Sequence, residues 1–145
     1  MPNNSQAQRS KIKVQRSDKN QTSNYQKTVF DLEERMAKFG EEIIVFCQSL
    51  GVDHISKPIL NQLVRSATSI GANYAEANNA SSKKDFRNKA HISKKESQET
   101  KYWLRMLDKC YPNDRVIIKR FRQEAHELTL ILQSIINKLD AKDAN

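Results

Sequence analysis

Lys84, Arg87, His91, Lys94, Lys95, Gln98, Lys101, Arg105 and Lys109 recur at steps of one, three and four residues. On an α-helix, at about 100° per residue, they share roughly a third of the circumference. A stripe of bases can neutralise phosphates and release their counterions. Lys84, Arg87, Lys94, Lys95, Lys101 and Arg105 are therefore the candidate nucleic-acid contacts. Among the aromatic residues nearby, Tyr102 lies in the stripe and Trp103 is expected to face inward. With so few rings to stack on bases, contact would go to the phosphate backbone of RNA or DNA and not to base edges. A merely solvated helix face would show the same pattern, and that reading stands beside the first.

The same segment places Glu96 and Glu99 among apolar Ile92, Trp103, Met106 and Cys110. A buried, unpaired carboxylate is costly, so each should find a base or titrate upward. Arg65 is the candidate partner, because its own helix face is otherwise poor in acids. Removing one partner of a buried pair costs about 3–5 kcal/mol. Alternatively, both glutamates reach solvent at a helix boundary.

Catalytic patterns are missing. His54, His91 and His126 stand one per segment without Cys or carboxylate at ligand spacing, and no HExxH, CxxC or GxxxxGK[ST] occurs. Glu96 and Glu99 resemble half of a di-iron motif, but no helix supplies the Glu-x-x-His pairs. The expectation is a non-enzyme with no metal and no cofactor. Cys47 and Cys110 both sit among apolar residues at helical spacing. They read as reduced core thiols of a cytoplasmic protein, with a buried disulfide or a reactive thiol as the alternatives.

These side chains need helices to position them. The 145 residues are 37% apolar with a net charge of +8, and only three Gly and three Pro argue against a many-turned β fold. Residues 1–28 carry six bases, one acid and few apolar side chains, so they read as a disordered basic arm. Four helical segments follow. The first, Asp31–Leu50, has a heptad seam of Leu32, Met36, Phe39, Ile43, Phe46 and Leu50, closed by Gly51 as a C-terminal cap. The second, about Ser56–Asn79, starts on Ser56 as N-cap and shows a face of Ile59, Leu63, Ile70 and Tyr74, with Ala67 and Ala77 filling in. Its far side, Asn61, Arg65, Ser66, Thr68, Ser69, Ala72, Asn73 and Glu76, is small rather than charged. That suggests a second packing surface, inside the bundle or against another subunit; a plain polar surface is the alternative. The third runs from Ser82 or Lys83 to Cys110. The fourth runs from Asp114 to Leu139, with Ile117, Phe121, Ala125, Leu128, Leu132, Ile135 and Leu139 as its seam. Short connections favour antiparallel neighbours. The expected fold is all-α: an antiparallel up-down-up-down four-helix bundle over 29–139, with a flexible tail at 140–145. No apolar run is long enough to span a membrane and no secretory h-region opens the chain.

The run Arg65-Ser66-Ala67-x-Ser69-Ile70-x-x-Asn73-x-Ala75-Glu76, then Lys84-Asp85-Phe86, then Glu96-x-x-Glu99-Thr100-x-Tyr102-Trp103-Leu104, resembles the four-helix-bundle proteins encoded in intervening sequences of bacterial 23S rRNA genes. That group also includes the accessory variability proteins of diversity-generating retroelements. The resemblance covers about 29–139, and the Glu-x-x-Glu-Thr-x-Tyr-Trp-Leu stretch is closer to the rRNA-intervening branch. It implies a homopentameric ring. For the retroelement branch it implies a basic surface that binds nucleic acid and a reverse transcriptase. Arg65, Asn73, Glu76 and Glu99 match the motif and read as structural or interface residues, together with Glu96, and there is no catalytic residue to carry over. Many members follow the Glu of the second helix with Gly, whereas this chain has Ala77, so that helix should run slightly longer. A homo-oligomeric protein-interaction module with no nucleic-acid role is the competing function.

Overall fold

The structure, a computed structural model, describes Ser23, Asn24, Lys27 and residues 31–144. The expected basic arm therefore lies outside the described residues, apart from Ser23, Asn24 and Lys27, which are helical and exposed. The chain divides into a unit Met1–Leu32 and a unit Glu33–Asn145. The second unit holds the helices: α1, helical over 31–48 with 33–48 in this unit; α2, Ser56–Asn78; α3, Lys83–Cys110; and α4, Arg115–Asp143, preceded by a 3₁₀ turn Pro112–Asp114. No strand occurs among the described residues.

One core joins the four helices. Met36, Phe39, Ile43 and Phe46 of α1 meet Leu63, Ala67, Ile70 and Tyr74 of α2, Leu104 and Leu107 of α3, and Phe121, Leu128, Leu132 and Ile136 of α4, all buried. Each large side chain so buried contributes about 1.5–3 kcal/mol. Phe121 stands edge-on to Phe39 at 6.2 Å and tilted against Phe46 at 5.4 Å, which fixes α1 on α4. Small residues bring α1 close to α2. A Cβ on Gly71 would stand 3.3 Å from Met36 Cβ, and one on Gly40 would stand 3.5 Å from Thr68.

Several boundaries differ from expectation. The α4 seam is Ile118, Phe121, Ala125, Leu128, Leu132 and Ile136, while Ile117, Ile135 and Leu139 are half-buried. A strict heptad drifts about 20° per repeat on a straight helix, so the ends of the seam slip by one residue. The fourth helix also continues past Leu139 to Asp143, so the expected tail is helical through that residue. Asp143 is held by Lys83 and Arg87, which ties that last turn to the start of α3. Ser56 is the first residue of α2 and buried, not its N-cap. Asp53 does the capping: its carboxylate accepts from the backbone N–H of Ile55 (2.9 Å) and Ser56 (2.8 Å), while Ser56 Oγ accepts from the Asp53 N–H (3.1 Å). Those backbone donors hold the Asp53 carboxyl below its ordinary range. Gly51 makes no left-handed cap, because no residue described has a positive φ. α1 instead ends in a tightened turn, with Ser49 N–H shared between Val45 O and Phe46 O, and Tyr111 Oη donates to Gly51 O at 2.6 Å. Ser82 does cap α3, accepting from the Asp85 N–H at 3.1 Å.

Candidate nucleic-acid interface

The residues expected to be structural converge where α2 meets α3. Ser93 Oγ donates to Ile70 O at 2.7 Å, and Thr100 Oγ1 donates to Ser66 Oγ at 3.0 Å, both buried. Part of the small face of α2 is thus used inside the bundle. Outside this seam Arg65 closes a fork: Nη1 reaches both Glu96 oxygens at 3.2 Å, Nη2 reaches Glu99 Oε1 at 2.6 Å, and Nε reaches Gln62 Oε1 at 3.1 Å. Trp103 Nε1 adds a donor to Glu99 at 3.3 Å. Burial pushes the Glu99 carboxyl upward, but the Arg65 and Trp103 donors outweigh it and hold it below the ordinary carboxylate range. Both glutamates therefore find a base, and neither stands alone at the boundary. Glu76 pairs with Lys89 at 2.5 Å further along the seam. Asn73 donates to Ser69 O of its own helix at 2.8 Å.

Two further arginine forks escaped the sequence reading. Arg35 of α1 grips Glu124 at 2.7 and 2.9 Å and Glu127 at 2.7 Å, and its donors lower the Glu124 carboxyl. Arg87 bonds Asp140 at 3.1 Å and also Asp143. Each fork takes a pair of acids three residues apart, which lie on one helix face. The spacing Glu124-x-x-Glu127 and Asp140-x-x-Asp143 was the available clue; the partner helix was not.

The six stripe bases therefore do not act alike. Arg87 is consumed by its fork, and Lys94 Nζ donates to Gln133 at 2.9 Å. Lys101 Nζ stands 3.3 Å from His126 Nδ1. Lys84, Lys95 and Arg105 are exposed, with no hydrogen bond or ion pair among the described residues. Tyr102 beside them is exposed and packs edge-on to half-buried Trp103. The sequence reading overlooked α4. Arg115, Lys119, Arg122 and His126 follow each other at steps of four, three and four along one flank, and no acid falls between 115 and 123. Both ends of that line touch α3, through Arg115–Asp108 (3.2 Å) and His126–Lys101. Exposed Lys119 and Arg122 therefore face the α3 side as well.

The model of the family described as 23S rRNA-intervening sequence protein matches residues 30–134. The chain belongs to that family. A crystal structure of a protein with unknown function from the S23 ribosomal protein family of Bacteroides thetaiotaomicron is 32% identical to it, covering 72% of this chain and 97% of that one with a TM-score of 0.63. The comparison with curated proteins found no match. The family match spans the Arg65 fork, the Arg105–Arg122 region and the core seams as far as Leu132 of α4. Among the described residues no group of His, Cys, Asp and Glu is arranged to hold a metal ion, and no helix is long and apolar enough to cross a membrane. Cys47 and Cys110 are free and half-buried, and burial pushes the Cys47 thiol up to about 11.

Proposed function

We propose that this family member is a non-catalytic, cytoplasmic accessory or scaffold protein that binds RNA or DNA through its phosphates and works as a homo-oligomeric ring, most simply of five antiparallel bundles. The observation that carries the reading is the run of bases on α3 and the adjoining flank of α4 that have no acid partner. Of the other bases that reach across between helices, Arg35, Arg65, Lys83, Arg87, Lys89 and Arg115 meet carboxylates, while Lys94 and Lys101 meet Gln133 and His126. Lys84, Arg105, Lys119 and Arg122 meet neither kind of partner, and their charge is open to solvent and to phosphate; Lys95 is exposed as well, with the Glu99 carboxylate near enough to feel its charge. The antiparallel arrangement is supported by the order of the contacts: Glu76–Lys89, Ile70–Ser93 and Ser66–Thr100 run up one helix and down the next, as do Arg87–Asp140, Ser97–Thr129 and Lys101–His126.

Self-association is supported by apolar surface that the bundle leaves open. Val116 is 85% and Val45 66% exposed. Val45 lines a cleft of about 490 Å³ between α1 and α4, with Phe46, Ile117 and Phe121 at its base and Lys38, Glu41, Glu42 and Arg120 on its rim. A ring would present several copies of a weak phosphate-binding face, so avidity would exceed the affinity of one copy. The same open surface favours the second reading, an oligomeric protein-interaction module whose bases serve solubility.

Co-purification from the native host, with bound RNA and protein identified, tests the choice. Nucleic acid that elutes with rising salt supports the first reading; a reverse transcriptase in the eluate would add the partner that the retroelement resemblance implies. A nucleic-acid-free preparation with a constant protein partner favours the second. Light scattering should give about five times 16.8 kDa, and a monomer at micromolar concentration would refute the ring.

A further inference from the structure

Two facing lines of side chains run along the α3–α4 seam. On α3 the line is Lys101, Arg105 and Asp108; on α4 it is His126, Arg122, Lys119 and Arg115. The seam is closed at one end by Lys101 against His126 and at the other by Asp108 against Arg115. One helical turn beyond the Lys101–His126 contact, four residues along each helix, brings Arg105 opposite Arg122. Lys119 follows on the next turn of α4. Both arginines and Lys119 are exposed, and none has a hydrogen bond or ion pair among the described residues. At the matching position elsewhere on this seam, Arg87 faces Asp140 and Asp143. Here a base faces a base.

We infer that the Arg105–Arg122 pair, flanked by Lys101 and Lys119, is a phosphate grip in which one phosphate group bridges α3 and α4. The inference rests on the nucleic-acid reading above and names the residues that would carry it. Guanidinium groups present paired N–H donors that match a phosphate's oxygens, which an ammonium cannot do. Two such forks on neighbouring helices repel each other only weakly in water and salt, and an anion between them is attracted to both. The grip differs from the α3 stripe as a whole: Arg87 and Lys94 have partners and fall outside it, and α4 supplies half of it.

The test uses the full chain and three proteins: the parent, a grip variant carrying Arg105→Gln, Arg122→Gln and Lys119→Gln, and a control carrying Lys57→Gln, Lys138→Gln and Lys142→Gln. The control removes the same charge from exposed lysines away from the seam. The grip residues have no partner to lose, so the grip variant should fold and melt as the parent does. Binding of a labelled single-stranded RNA of about 20 nucleotides is followed by anisotropy from about 50 to 200 mM salt. The grip variant should lose about 0.7–1.4 units of the log affinity against log salt slope, at about 0.7 for the phosphate the arginines share and as much again if Lys119 holds a neighbouring one, and the control should keep the parent's slope. RNA binding with equal slopes for grip variant and control would overturn the grip and leave the nucleic-acid reading intact. Absence of RNA binding by the parent would overturn that reading, and melting in inorganic phosphate then decides the grip alone. A phosphate-induced rise lost only in the grip variant supports a small-anion site, and no such rise overturns it.

Discussion

Replacing Arg65 by Ala should expose how much the α2–α3 fork stabilises the bundle. The carboxylates are unequal: the Glu96 side chain is 14% exposed, Glu99 32% and Arg65 44%. A fully buried pair that loses one partner costs about 3–5 kcal/mol, and a surface pair about 0–1. Arg65 is too open for the first value, and Glu96 is too enclosed for the second. Hydrogen bonds to charged groups contribute about 1.5–3 kcal/mol, so the loss should be about 2 kcal/mol. With m of about 2 kcal/mol per molar urea, the midpoint should fall by about 1 M at fixed protein concentration, with m unchanged. Arg65→Lys should lose about half as much, because one ammonium cannot span both carboxylates. The pH dependence has a definite sign. The Glu99 carboxyl is depressed in the folded protein, so its share of stability is present above the unfolded value of about 4.3 and is lost as pH falls through the folded one. The gap between parent and variant should therefore close in acid. A midpoint shift equivalent to less than about 0.5 kcal/mol at neutral pH, or a gap that ignores pH, would refute the fork as a stabilising element.

Gly40→Ala should raise stability by about 0.5–1 kcal/mol, since the added methyl meets Thr68 at an ordinary 3.5 Å and the helix gains propensity. Gly71→Val should lower it by about 1–3 kcal/mol, because Met36 stands only 3.3 Å from the new Cβ in a packed core; thermal melts that reverse this order would contradict the close α1–α2 approach. Ser82→Ala removes the α3 cap and should cost about 1 kcal/mol by urea titration. In a Cys110→Ser background, alkylation of Cys47 should stay slow through pH 9 and accelerate toward its raised value of about 11; a fast reaction at pH 8 would show that the site opens.

Local pattern carried the elements. The apolar spacing in each segment, Ser82 before the third helix and Pro112 before the fourth were enough to place four helices, because periodicity and capping act within a few residues. The same spacing put Arg65 with Glu96 and Glu99, since that face of α2 held few other charges. It missed the cap at Asp53, whose bonds reach Ile55 and Ser56 through a turn that either residue could have led. It also shifted the α4 seam by a residue at both ends, because a heptad count ignores the 3.6-residue turn.

The basic stripe shows the remaining division. The sequence by itself determined which residues of α3 share a face, because 100° per residue leaves no choice once the helix forms. It could not say which bases remain available. That depended on what α4 brings alongside: Asp140 and Asp143 against Arg87, Gln133 against Lys94 and His126 against Lys101, a register that, extended by one turn, sets Arg122 across from Arg105. Charge on one helix is a local property, but neutralisation and like-charge crowding are decided between helices. Only tertiary packing sets the register at which residues some 15 to 90 positions apart in the chain come face to face.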